Sequence, residues 1–517
     1  MPICPSYKWL FRPMIFGQLF LLTCFSTGCK KDNSTASTGG TTTASGTSSI
    51  ISTTVVSGTA EGSTETGANA DDEIANSTFS SVVSINLGST TTINNPLASD
   101  GVTVTQSDGD VVINATASGV DYQVSGTTSD GSIKIYSEKK FKLTLNGASI
   151  TNNDGPALNI QSSKRAFIEL AAGTTNSLTD GATYATSTED QKGTLFSEGQ
   201  LIFTGTGSLT VNGNNKHGIA SDDYIRVVSG DITVASAATD GIHTNDAFIV
   251  DGGTINVTAK SDGIEADEGY VIINDGTINI NAADDGLVAS YKGTNDTITP
   301  YVNINGGTIT IKTTAGEGIE SKSILTVNNG SITVNSYDDG LNAANAIYIN
   351  GGTIYAYATN NDAIDSNGTL TVTGGIVVAI GANQPEASFD CDARTFKITG
   401  GNIVGIAGAT SGPSTTSTVR SVVMGSGTAN KIVHIEAADG TEALTFLAPK
   451  DYSTLLFASP KLAANTAYTL YTGGSVDNGT DFHGLYSAGT YNKGTKTSTT
   501  FTTSSLVSQT GGSISRN

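Results

Sequence analysis

Cysteine, tryptophan and charge are all scarce in this chain of 517 residues: it has 4 Cys, 1 Trp, 4 His and 10 Pro, and only 14% of its residues are charged. Cys4 and Cys24 lie inside an N-terminal apolar leader, and Cys391 is the lone thiol of the body. A disulfide framework is therefore excluded, and Cys391 reads as buried filler. Few His and Cys argue against a Zn or Cu centre. Trp9 also falls in the leader, so the body has no flat Trp platform for a crystalline polysaccharide. Glu, Lys and Leu are too sparse for a long coiled coil. Bases are short as well, 26 against 47 acids for a net charge of −21. Such a field repels nucleic acid and anionic lipid headgroups, and it suits a protein that holds cations.

Residues 1–28 have the layout of an export signal. Lys8 and Arg12 precede an apolar run, Met14–Phe25, too short to span a bilayer. The run ends in Ser26-Thr27-Gly28-Cys29, which resembles a bacterial lipobox although Ser26 replaces the usual Leu. Cys29 is the expected lipidation site, and its lipid the sole expected membrane anchor, placing an exported lipoprotein at the outer membrane or cell surface. Residues 29–78 are rich in Ser, Thr, Gly and Ala. That composition buries too little apolar surface to offset ordering entropy, so it predicts a disordered tether.

What the body has in abundance is glycine, 61 residues in all, on a fixed period. Gly218, Gly241, Gly263, Gly286, Gly318 and Gly340, then Ala363, recur every 22 to 23 residues, apart from one longer step containing an insertion near Tyr291–Pro300. A second series, including Gly230, Gly253, Gly276, Gly307, Gly330 and Gly352, is locked to it, and a short alternating strand follows each member. The period fits one turn of a parallel β-helix; leucine-rich repeats lack their consensus here, and propeller repeats are about twice as long. Residues one period apart then stack about 4.8 Å apart. Ile242, Ile264, Leu287, Ile319, Leu341 and Ile364 form one expected interior column, and Ile255, Ile278, Ile309, Ile332 and Ile354 another. Gly at these corners is expected to supply positive φ. The all-β helical domain is expected over 79–419 and a small antiparallel cap over 420–517.

Position −1 to the first Gly series is acidic: Asp240, Asp262, Asp285, Glu317 and Asp339, with Asp362 before Ala363. Unit charges 4.8 Å apart repel by roughly 1 kcal/mol in water and about 3.5 kcal/mol at an effective dielectric of 20. A column of them calls for cations between rungs, and Ca²⁺ takes oxygen ligands at about 2.3–2.6 Å. Asp240, Asp262, Glu265, Asp267 and Asp285 form the densest cluster and are the expected Ca²⁺ ligands. The competing reading is that Asp-Gly is simply a good turn, with Asp capping backbone amides. Tyr291 and Tyr337, with Tyr355 and Tyr357, could stack on sugar rings.

The body resembles a bacterial family of secreted carbohydrate-binding proteins related in fold to polysaccharide lyases. The likeness is carried by Lys142-Leu143-Thr144-Leu145-Asn146-Gly147, Gly173-Thr174-Thr175-Asn176-Ser177-Leu178-Thr179-Asp180-Gly181, the Asp-Gly-Ile series and Tyr468-Thr469-Leu470-Tyr471-Thr472-Gly473-Gly474. It implies a right-handed parallel β-helix, bound calcium and binding of cellulose or polygalacturonate. The leading expectation is a surface lipoprotein that binds acidic plant polysaccharide through Ca²⁺. The alternatives are a pectate-lyase-like β-eliminase, with Lys260, Lys292 or Lys322 as the base, and a structural adhesin with no sugar site. His217 and Ala363 break the corner motif, so the outer coils are expected to lack metal.

Overall fold

The computed structural model describes residues 46–52, 55–295 and 297–515. The leader, Cys29 and the first part of the tether lie outside them. Among the described residues the only helical pieces are two 3-10 turns, Ala70–Asp72 and Ile74–Asn76, and no helix is long and apolar enough to cross a membrane.

The fold is a parallel β-helix. Each coil contributes one short strand and two longer ones, and each strand pairs in parallel with its counterparts one period away. The short strands stack into a 13-stranded sheet that runs from Asp390–Cys391 back to Val102–Ser107, where an antiparallel hairpin with Asp110–Ala115 ends it. The first expected column is a continuous ladder in that sheet, with Ile242 beside Ile264, then Leu287, Ile319, Leu341 and Ile364. The second, Ile255 through Ile354, is equally continuous on another face. All of these side chains are buried, so each coil covers its apolar face only against its neighbours.

The two glycine series serve different ends. The second has positive φ throughout, for example 83° at Gly253 and 108° at Gly330. The first does not, contrary to expectation, and is glycine for want of space. A Cβ at Gly241 would lie 2.1 Å from Val257 and one at Gly318 2.1 Å from Val334. Ala363 is tolerated in that series because the facing column, in register through Val334, Ala356 and Ala379, has shrunk to alanine.

Beyond Asn402–Ala407 the parallel order ends. Thr454–Ala458 pairs antiparallel with that last strand. Ile432–Ala437, Glu442–Leu447 and the long hairpin Ala467–Phe482 and Leu485–Thr502 form an antiparallel sheet, which packs Phe446 and Leu444 together with Val378, Val404 and Ile406 of the last coils. Thr47–Ile50, from the expected tether, adds an edge strand to this cap against Gly489–Asn492.

Residues 55–78 correct the tether expectation further. They form a strap laid back along the helix, held by side-chain amides. The Nδ2 groups of Asn350, Asn328, Asn305 and Asn274 donate to the carbonyls of Glu61, Ser63, Glu65 and Thr66 at 2.7–2.9 Å. At its far end Asp72, buried, pairs with Arg165 and Arg226. Composition counts apolar surface, and this segment is ordered by these hydrogen bonds to partners 93 to 289 residues away.

Candidate functional site

The edge where the short strands begin carries the acid column. Each corner aspartate caps the next coil. Oδ1 of Asp240 accepts from the Asp262 amide (3.2 Å), that of Asp262 from Asp285 (3.0 Å), that of Asp285 from Glu317 (2.8 Å) and that of Asp339 from Asp362 (3.0 Å). The turn-capping reading therefore holds for one oxygen of each residue. The second oxygen differs from rung to rung: that of Asp339 accepts from Asn342 Nδ2 at 2.7 Å, and that of Asp240 faces the rings of His217 and His243.

Acid groups crowd together along the column. Ligand atoms of Asp240, Asp262 and Glu265 lie within 4.8 Å of one another, as do those of Asp262, Asp284 and Asp285, and of Asp362, Asp365 and Asp390. Four of the five expected ligands thus share the column. Asp267 stands apart, accepting from Ser290 Oγ at 3.1 Å and meeting Lys292 Nζ at 3.6 Å. Asp284 joins in its place, and the coil at Ala363, expected to lack metal, carries an acid cluster of its own.

The crowding shows in proton affinity. Burial, then the charges of Asp240 and Glu265, push Asp262 up to about 7, against the pull of the Asp285 amide. Burial with Asp365 and Asp362 raises Asp339 to about 8, and burial with Asp390, Asp365 and Glu386 raises Asp362 to about 7. Asp285 rises too, by burial and its contact with Glu317. Asp240 goes the other way: burial works against its charge, but His217 and His243 outweigh it and hold the carboxyl far below the usual range. Among the described residues no basic side chain forms an ion pair with Asp262, Asp284 or Asp285. These three groups are hard oxygen donors from two adjacent coils, the donor type that Ca²⁺ takes.

The other candidates separate by environment. Lys322 Nζ bonds Glu320; burial lowers its proton affinity, but the charges of Glu320, Glu317 and Asp285 raise it more. Glu265 above all, with Asp267, raises Lys292. Lys260 is exposed. Tyr337 is 46% exposed, beside Asp338 and Asp339. Tyr291 takes an amide hydrogen from Asn295 on its hydroxyl at 2.8 Å. Tyr355 is packing, not platform: it is buried and stacked on His483 with ring centroids 3.7 Å apart. Cys391 is buried, its Sγ donating to the Gly368 carbonyl at 3.3 Å.

A parallel β-helix with an acid-lined edge is the class that fold and site define. The chain belongs, through residues 107–363, to the family described as carbohydrate-binding domain-containing protein. A protein of that description from Acetivibrio thermocellus is 35% identical over 114 residues, 21% of this chain and 40% of that relative. The chain thus spans less than half the length of that relative. The solved structure of a polysaccharide lyase-like protein from C. thermocellum, a gadolinium derivative, aligns at 30% identity. It covers 46% of this chain and 96% of that one, with a TM-score of 0.37.

Proposed function

We propose that this carbohydrate-binding protein is an exported lipoprotein, anchored through Cys29, that binds an acidic plant polysaccharide such as polygalacturonate through Ca²⁺ on its acid column. The observation that carries the reading is the group Asp262, Asp284 and Asp285, whose oxygens converge with no ion-paired base among the described residues. A divalent ion there neutralises the column and leaves coordination positions for a uronate carboxylate. A protein of net charge −21 needs such a bridge to hold a polyanion. Two of the three candidate lysines favour binding over β-elimination. Lys292 and Lys322 are stabilised in the protonated form by their carboxylate neighbours, and a base that abstracts a carbon-bound proton must be free of its own.

Calorimetry with polygalacturonate, in Ca²⁺ and again in EDTA, with absorbance at 232 nm followed in the same cell, tests this. Heat that vanishes in EDTA with flat absorbance is expected. Rising absorbance lost on Lys322→Ala would make the protein a lyase, and no heat in either buffer would remove the uronate reading.

A further inference from the structure

The cap holds a cleft of about 440 Å³ that shares no residue with the acid column. Residues 424–428, which continue from the strand Ser421–Met424, line it together with Val433, Leu470 and Thr499 of the cap sheet. Ligand pockets run from about 300 to 1,000 Å³. The floor is apolar, with Met424 and Val433 buried and Leu470 half-buried. The walls carry the hydroxyls of Ser426, Thr428, Thr472, Thr497, Thr499 and Thr510. A second hollow of about 500 Å³ continues from it past Thr428, Lys431 and Thr472, which line both.

Two buried hydroxyls in the cleft lack partners. Tyr452 is 6% exposed, and burial alone raises the proton affinity of its hydroxyl, with no hydrogen bond contributing. That oxygen lies against the backbone of Gly427, where a Cβ would stand 2.2 Å from it. Oγ1 of Thr510 is buried and equally unpaired. Thr497 differs: its hydroxyl donates to the Leu470 carbonyl at 3.0 Å and accepts from the Thr499 amide at 3.2 Å. A buried hydroxyl with no protein partner calls for water or for a hydroxyl of a ligand. The cleft is many times the volume of one water, about 30 Å³ in the liquid.

Charge narrows the choice of ligand. The hollows of the first coils are lined by acids, Glu138 in one, Asp110 and Asp154 in another, Asp108 and Asp130 in a third. No acid lines the cap cleft or the hollow beside it, so a cation has nothing there to hold it. Two bases line them, Lys431 and Lys493, and Lys493 is paired with Glu436. One exposed lysine is too little to draw an anion to a chain of net charge −21. An uncharged ligand with hydroxyls on its rim and C–H groups on its faces matches both floor and walls, and that describes a sugar ring.

We infer that the cap cleft is a second sugar site, which takes a neutral monosaccharide unit without a metal ion. It lies outside residues 107–363, the part of the chain that matches the family, and it does not depend on the calcium reading. The test is saturation-transfer NMR on the purified chain in EDTA, with methyl β-D-glucoside, methyl β-D-galactoside and methyl β-D-xyloside, and with galacturonate as the charged control. Transfer to at least one neutral sugar is expected. Thr499→Trp fills the cleft and should abolish the transfer, and Tyr452→Phe should weaken binding about tenfold. Thr472→Trp, at an exposed position of the wall, covers the case in which circular dichroism shows that Thr499→Trp unfolds the cap. Asp262→Asn should leave the transfer unchanged while reducing Ca²⁺ uptake, so this site and the calcium reading fail separately. Absence of transfer to every neutral sugar would mean that the cleft holds water only. Transfer that survives both tryptophan variants, or that favours galacturonate, would equally overturn the assignment.

Discussion

Two side-chain ladders climb the same helix at the same period, one of asparagine and one of aspartate. The asparagine ladder is closed. Thr373 donates to Asn350, Asn350 to Asn328, Asn328 to Asn305, Asn305 to Asn274 and Asn274 to Asp251, each at 2.7–2.8 Å. An amide both donates and accepts, so every rung satisfies the next and a second hydrogen remains for the strap. An ionised carboxylate only accepts. Each aspartate rung finds one backbone amide above it, and Asp262 and Asp285 then meet other carboxylates. Identical stacking therefore gives one face that is complete and one that calls for a proton or a metal ion.

Converting a rung of one ladder into the other tests this difference. The largest effect is expected from Asn328→Asp, which puts a carboxylate against the carbonyl oxygens of Ser63 and Asn305. It should cost about 2–4 kcal/mol in denaturant unfolding and loosen the strap, read as faster amide exchange over residues 58–67. The reverse change, Asp262→Asn, keeps an oxygen for the Asp285 amide and turns a hydrogen toward Asp240 and Glu265. In EDTA at pH 8 it should stabilise by about 1–3 kcal/mol, and in Ca²⁺ that gain should shrink or reverse. The pH profile sharpens the same contrast. Asp262 and Asp362 are raised to about 7 and Asp339 to about 8, so the folded state binds protons more tightly than the unfolded chain. Their stabilising effect is complete below pH 4 and fades as pH rises toward 8, with a slope on the order of 1 kcal/mol per pH unit for each group. A melting temperature that stays level across pH 5–8 in EDTA would contradict this, whereas Ca²⁺ should flatten the slope. The smallest effect belongs to Glu61→Gln. It removes a surface ion pair to Lys397, both side chains about a third exposed, and should change stability by less than about 0.5 kcal/mol.

The columns were legible because a period places identical residues on adjacent rungs, and Asp-Gly-Ile states the period aloud. The asparagine ladder had a comparable signal: Asn274, Asn305, Asn328 and Asn350 each stand two residues before a second-series Gly. It passes for turn chemistry until the strap is seen. The strap itself was not legible, since its partners are side-chain amides far along the chain. Its glycines record the contact all the same: a Cβ at Gly62 would come within 2.7 Å of Tyr348. His217 reads in sequence as a fault in the corner motif. Only the fold shows that its ring lands on that of His243, one coil later. Asp284 lay next to an expected ligand, and Asp267 stands beside Ser290 and Lys292, outside the converging sets.

The route of the strap fixes an orientation. The described chain enters at the cap, where Thr47–Ile50 lies beside the terminal hairpin. It then travels back past Thr373, Asn350, Asn328 and Asn274 to Arg165 before the first coil begins. Val507–Gln509 also pairs within the cap region, with Ser421–Val423. Both ends of the folded body therefore emerge at the last coils. A molecule held from its N-terminal side would present its first coils as the distal tip, like a brush fixed by its ferrule. A module fused after residue 517 would sit near the point of attachment, and one inserted in the hairpin Val102–Ala115 would be carried outward.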